Sequence, residues 1–153
     1  MITGVIIIFR GFSQNTVFWN AFTAWAVAQV LKGFFSYYRY KRLDIRRFVG
    51  AGGMPSSHSA FVSALATGVG QTEGWASPVT ALAVVFALIV MYDAAGVRLA
   101  ASKQAITLNK IIDELFAEGE FKQERLKELL GHTPFEVIIG ALLGISISYW
   151  GLG

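Results

Sequence analysis

Two short runs hold the only histidines of the chain: Gly52-Gly53-Met54-Pro55-Ser56-Ser57-His58-Ser59-Ala60 and Leu130-Gly131-His132-Thr133-Pro134-Phe135-Glu136. Each lies where a polar loop gives way to a long apolar run. An imidazole serves as nucleophile, acid or base near neutral pH, so two of them at two helix starts suit phosphoryl transfer. In the first run, Pro55 followed by serines and an apolar stretch predicts a helix N-cap, with Ser57 as the capping residue. The first-turn amides and the helix dipole then favour an anion beside them, and His58 falls in that turn. Gly52 and Gly53 let the preceding backbone fold close to a ligand. An ordinary capped helix with an interfacial histidine explains the same residues.

The second run reads as a complete capping box: Thr133 at the cap, Pro134 at N1 and Glu136 at N3. Glu136 also follows His132 by four residues. A carboxylate on one ring nitrogen fixes the tautomer and raises the nucleophilicity of the other. The two roles compete for one side chain, and the spacing does not rank them.

Charged residues gather around both runs. Lys32 follows Gln29 by three residues, so both project from one helix face, and Arg39 follows Lys32 by seven. Lys32 could equally snorkel to lipid headgroups. Asp93 ends an apolar stretch and Arg98 follows it. An ionisable group at that depth is expensive and is by default paired or functional, as an Asp93–Arg98 pair or as a phosphate or metal contact.

The elements that must position these groups are apolar helices. Of 153 residues, 54% are hydrophobic and only 15% charged, and mean hydropathy is +0.53. That length predicts one domain, 1–153. The absence of cysteine excludes disulfides, thiolate metal sites and a thiol nucleophile. The Met1–Phe9 start has no basic n-region and is too short to span, so a buried or interfacial segment is expected. Four candidate spans run roughly over Thr16–Ser36, His58–Thr72, Pro78–Val97 and Pro134–Leu152. Twelve of the 13 Lys and Arg residues fall between Lys32 and Arg47 or between Arg98 and Lys127, Arg10 being the exception. Basic segments alternating with apolar ones are a membrane pattern, not a nucleic-acid-binding face, and the positive-inside rule places both basic segments, with both histidines, on the cytoplasmic side. Ala105 to Gly131 reads as a cytoplasmic amphipathic helix in two pieces broken near Gly119. Gly140-x-x-x-Gly144 offers a small face for close helix packing, a homodimer being one option. Trp19, Trp75, Tyr149 and Trp150 read as interfacial anchors. The expected fold class is all-α: a multi-pass bundle of about four transmembrane helices.

Pro55-Ser56-Ser57-His58 resembles the Pro-Ser-Gly-His motif of the type 2 phosphatidic acid phosphatase superfamily, which includes vanadium haloperoxidases. Gly131-His132-Thr133-Pro134-Phe135-Glu136 resembles its last motif, a histidine followed four residues later by an acid. Lys32 and Arg39, with six residues between, match the spacing of its first. Together with Tyr92-Asp93-Ala94-Ala95-Gly96-Val97-Arg98, the chain is most similar to that superfamily's divergent small membrane branch. The resemblance implies His132 as nucleophile forming a phosphohistidine, Glu136 orienting it, and His58 protonating the leaving alkoxide and then activating water. It implies that Ser56 and the Ser57 amide hold phosphate oxygens beside Lys32 and Arg39, with no cofactor and no metal. The chain departs from the pattern in places. Tyr40 stands where a proline usually follows Arg39, and Leu126 stands where an arginine precedes the last histidine. Arg125, Lys127 and Arg98 are candidates to replace that arginine, Arg98 first because it emerges from a span end.

The reading is thus a membrane phosphatase acting on a lipid-borne phosphomonoester or diphosphate, with the bilayer and a lipid phosphate as partners and no nucleic acid. Two rivals remain: a non-catalytic membrane protein binding anionic lipid through the 32–47 cations, and a metal site built from the histidines and Asp93.

Overall fold

The computed structural model describes residues 10–41, 53–115 and 132–152, and among them every regular element is helical. They form α1 (Thr16–Tyr40), α2 (Ser57–Glu73), α3 (Pro78–Tyr92), a π-helical turn (Asp93–Val97), α4 (Arg98–Leu115) and α5 (Pro134–Leu152). The all-α expectation therefore holds for these residues. The N-terminal 1–9 segment and the break near Gly119 lie outside them.

Every helix but α4, which continues from the π turn, starts at a readable cap. The Asn15 side chain accepts from the Phe18 amide at 2.9 Å to open α1, and Ser77 accepts from Val79 to open α3 ahead of Pro78. Gly74, at φ +85°, ends α2 in a conformation a side chain resists.

α2 is the hub, packed against α5, α1 and α3. It can be so because its inward residues are small: Ser59, Ala60, Ser63, Ala64, Thr67 and Gly68 are all buried. α1 answers with Ala21, Ala24 and Ala28, each fully buried at helical spacing. α5 answers with Gly140 and Gly144. A Cβ on Gly140 would strike the Ser56 carbonyl, and one on Gly144 the Ala60 carbonyl and Ser63 hydroxyl. The Gly-x-x-x-Gly face is thus occupied within the chain, by α2.

Large apolar side chains point the other way. Leu82, Val85, Leu88 and Ile89 of α3 and Ile138 and Leu142 of α5 are more than half exposed, while Lys32 and His132 are the largest fully buried side chains. That is the reverse of a water-soluble domain, whose large apolar residues go inside. Two stretches are long and apolar enough to cross a membrane, Pro78–Asp113 and Pro134–Leu152. α1 and α2 fall outside that criterion: Asn20, Gln29 and Lys32 dilute α1, and α2 has only 17 residues rich in Ser, Ala and Gly.

The third apolar helix turns π-helical at Asp93, within the expected span. One expectation is corrected here. The following helix begins at Arg98, not Ala105, because the π turn carries the chain on without a break.

The helix directions sort the ends of the bundle. α1 and α3 finish, and α2 and α5 start, at the end that carries both histidines. Trp19, Trp75, Tyr149 and Trp150, 45–84% exposed, gather at the other. There the Asn20 and Gln71 amides donate to the Ser148 and Tyr149 carbonyls, which fixes the last turn of α5 against α1 and α2.

Candidate active site

The two histidine runs meet. The Ser56 backbone N–H donates to the Glu136 carbonyl at 3.1 Å, joining the start of α2 directly to the first turn of α5. The missing side chain of Gly140 permits that approach. His58 and His132 stand with ring centroids 6.5 Å apart and planes inclined at 61°. A tetrahedral phosphorus needs about 3–3.5 Å to an attacking atom, and an acid needs about 2.6–3.2 Å to the leaving oxygen. Two rings at this separation can serve one such centre.

The cap of α2 lies one residue earlier than the sequence suggested. Ser56, not Ser57, is extended, accepts the Ala60 amide on its carbonyl at 3.0 Å, and accepts the Ser59 amide and hydroxyl on its Oγ. The Ser56 hydroxyl is therefore engaged in the cap. Ser57 becomes the first helical residue, with an amide that has no intrahelical acceptor. Its hydroxyl accepts from Lys32 Nζ at 3.5 Å.

Lys32 is 2% exposed and reaches this point from α1. Its stem passes Gly53, where φ is +98° and an added Cβ would lie 3.2 Å from Lys32 Cγ. Gly53 is thus favoured by its own backbone, and a side chain there would also press on the lysine's stem.

At the other run, Glu136 performs both roles that competed in the sequence. Its Oε2 accepts the Thr133 amide at 2.9 Å while Thr133 Oγ1 accepts the Glu136 amide at 3.3 Å, closing the capping box. The same Oε2 lies 3.3 Å from His132 Nδ1. One oxygen serves both because His132 immediately precedes the cap. His132 is fully buried, its Nδ1 faces the carboxylate, and its Nε2 is buried with no hydrogen-bond partner among the described residues. Burial, and then the Lys32 cation, hold the His132 pKa below its ordinary 6.5. The ring is consequently neutral at pH 7, with a lone pair available.

A residue that motif reading passed over holds the backbone of this histidine. The His132 N–H donates to the Ala94 carbonyl, in the π turn, at 3.2 Å. Widened turns of this kind recur at functional sites. Ala94 carries no chemistry in its side chain, so only the geometry reveals it. Asp93 begins the same turn, its amide donating to the Ile89 and Val90 carbonyls.

Of the predicted site residues, the structure brings together Lys32, Ser56, Ser57, His58, His132 and Glu136. Arg39 lies in the last turn of α1 and Arg98 opens α4, but their side chains are outside the described set. Arg125, Leu126, Lys127 and the basic residues from Arg42 to Arg47 are also outside it. Among the described residues no three His, Asp or Glu side chains converge to hold a metal, so His58, His132 and Asp93 do not form the cluster that the metal rival needs.

The family model described as "Divergent PAP2 family" matches residues 13–147, a stretch that includes Lys32 and both histidine runs. An uncharacterized membrane protein of Bacillus subtilis (strain 168), YuiD, is 43% identical over 133 residues, which are 79% of this chain and 84% of YuiD. No solved structure matches. With both histidine runs inside so extensive a match, the chain belongs to the divergent PAP2 family.

Proposed function

We propose that this protein is a multi-pass membrane lipid phosphatase that hydrolyses a phosphomonoester or diphosphate through a phosphohistidine. His132 Nε2 attacks phosphorus, and the bond from phosphorus to the leaving oxygen breaks. His58 gives its proton to the departing alkoxide, then takes one from water as that water attacks the phosphohistidine. The P–N bond breaks, releasing inorganic phosphate and restoring His132. Lys32, the Ser57 amide and the Ser57 hydroxyl stabilise the phosphoryl oxygens, with Arg39 and Arg98 as further phosphate contacts and Glu136 holding the nucleophile's tautomer. All four apolar helices cross the bilayer, and the positive-inside rule puts the site at the cytoplasmic face.

The observation that carries this reading is the state of His132: one ring nitrogen on a carboxylate, the other buried without a partner among the described residues, beside a second imidazole. A buried polar atom left unsatisfied costs about 1–3 kcal/mol. A purely structural histidine would not keep that cost.

The testing experiment offers purified protein a panel of phosphatidate, phosphatidylglycerophosphate and prenyl phosphates and measures released phosphate. Wild type is expected to turn over at least one, with inhibition by vanadate and indifference to chelators. Binding without turnover would favour the non-catalytic anionic-lipid binder.

Lys32 gives a second expectation. Taking a charge out of water is expensive, and replacing it with an apolar side chain of similar length is often neutral or stabilising. Lys32→Met should therefore unfold at the same temperature or higher, yet bind vanadate about 10- to 100-fold more weakly, since a charged contact is worth about 1.5–3 kcal/mol. Loss of both would make the lysine structural.

The pH profile follows from the same pair. Burial and Lys32 oppose the His132 imidazolium, so the nucleophile stays neutral as pH falls below 6.5. Its acid limb in kcat/KM should lie below that value, and Lys32→Met should move the limb upward. The stability that the neutral ring confers is complete above the unfolded value and declines as pH falls below it.

A further inference from the structure

Beside the phosphate site runs a groove that the reaction scheme does not use. Phe22 and Trp25 of α1, His58, Phe61 and Val62 of α2, and Val90 of α3 line a cavity of about 270 Å³. His58 is the one imidazole in this otherwise hydrocarbon and aromatic wall, and it belongs equally to the site above. Phe22, 40% exposed, leaves the groove open to the side of the bundle.

The groove and the site lie on one line. On α1, Phe22, Trp25, Gln29 and Lys32 are spaced three, four and three residues apart, which is a single face. At 1.5 Å per residue, Trp25 lies about 10 Å and Phe22 about 15 Å from Lys32 along the axis. α2 descends from the site in the same direction, with Phe61 and Val62 one turn below His58. Gln29 marks the change from apolar to polar, and its Oε1 is buried with no hydrogen-bond partner among the described residues. A molecule lying along this face meets hydrocarbon first, an amide next, and the lysine and histidines last. The volume is near the small end of ligand pockets, which span about 300–1,000 Å³, and suits one chain better than two.

We propose that this groove is the chain subsite of the phosphatase, holding a single hydrocarbon chain of the phosphorylated substrate with its phosphate end at His58. The assignment rests on the lipid-phosphatase reading for the chemistry at that end. The occupant is the substrate's own chain and not loose bilayer hydrocarbon, because a reactive histidine forms part of the wall. The subsite favours substrates that bring one chain into the bundle, and it ties their affinity to chain length.

Binding, read by calorimetry on the full chain in detergent, tests this separately from turnover. The probes are dodecylphosphonate and methylphosphonate, which share a head and differ in the chain. Wild type should bind the long probe at least tenfold more tightly. Val90→Phe, which fills the groove, and Trp25→Ala, which removes a wall, should each abolish most of that preference. Ile145→Ala, on the outer face of α5, should keep it. An equal affinity for both probes, or an undiminished preference in both groove variants, would overturn the proposal. Displacement of dodecylphosphonate by dodecanol as effectively as by unlabelled probe would assign the groove to bilayer hydrocarbon and also overturn it. A wild type that shows the chain preference but turns over nothing would sink the hydrolase reading and leave the subsite standing.

Discussion

His132→Ala should reduce phosphate release by about 10⁴-fold or more, for every substrate, because it removes the atom that bonds to phosphorus. His58→Ala should differ in kind. General acid–base catalysis contributes about 10²–10⁴-fold, and the acid matters only where the leaving group needs a proton. The deficit should therefore be large for alkyl phosphates and much smaller in the first step for an aryl phosphate with an acidic leaving group. Both variants should fold, with stability within about 2 kcal/mol of wild type. The values of kcat/KM on an alkyl and an aryl ester, which report the first step, check this. If His58→Ala lowers kcat/KM equally on both esters, the division of labour between the rings is wrong.

Gly140→Val should have the largest effect on the fold. A Cβ there collides with the Ser56 carbonyl, part of the segment whose N–H donates to the Glu136 carbonyl. Overpacking typically costs about 1–3 kcal/mol, and backbone cannot give way as a side-chain end can. We expect at least the top of that range, with activity lost even where the helices persist, because α2 and α5 must separate and carry His58 away from His132. Gly144→Val, which meets the Ala60 carbonyl and the Ser63 hydroxyl one turn deeper, should destabilise comparably. Thermal unfolding in detergent, with helical content as a control, reads both. A Gly140→Val protein with wild-type stability and turnover would mean that the two helix starts are not held together as described.

Much of this was legible in the chain itself. The start of α5 followed from Thr133-Pro134, since caps are local chemistry, and those of α1 and α3 followed roughly from where the apolar runs begin at Thr16 and Pro78. The site's membership followed from residue type, because histidine, lysine and glutamate are scarce in so apolar a sequence. What escaped was relational. The identity of the cap at Ser56 depends on where Pro55 lets the chain turn, and a one-residue shift there changes which serine faces Lys32. The two roles of Glu136 looked exclusive along the sequence but are compatible in space, because His132 and the Thr133 amide approach one oxygen. The role of Ala94 depends on a widened turn, for which alanine gives no signal. The purpose of the glycine pair at 140 and 144 was ambiguous because a small face fits another helix of the chain as well as a second copy.

The central claim is that the two imidazoles serve one phosphorus atom, with His132 as the one that bonds to it. His58→Ala given an aryl phosphate should be attacked normally yet lack the base that clears the intermediate, so the covalent species should accumulate. Peptide mapping of all protein-bound phosphate at neutral pH after a brief reaction locates it directly. The account predicts phosphate on Nε2 of His132, the nitrogen turned away from Glu136. Label on Ser57, on Nδ1, or on no residue despite turnover would contradict it.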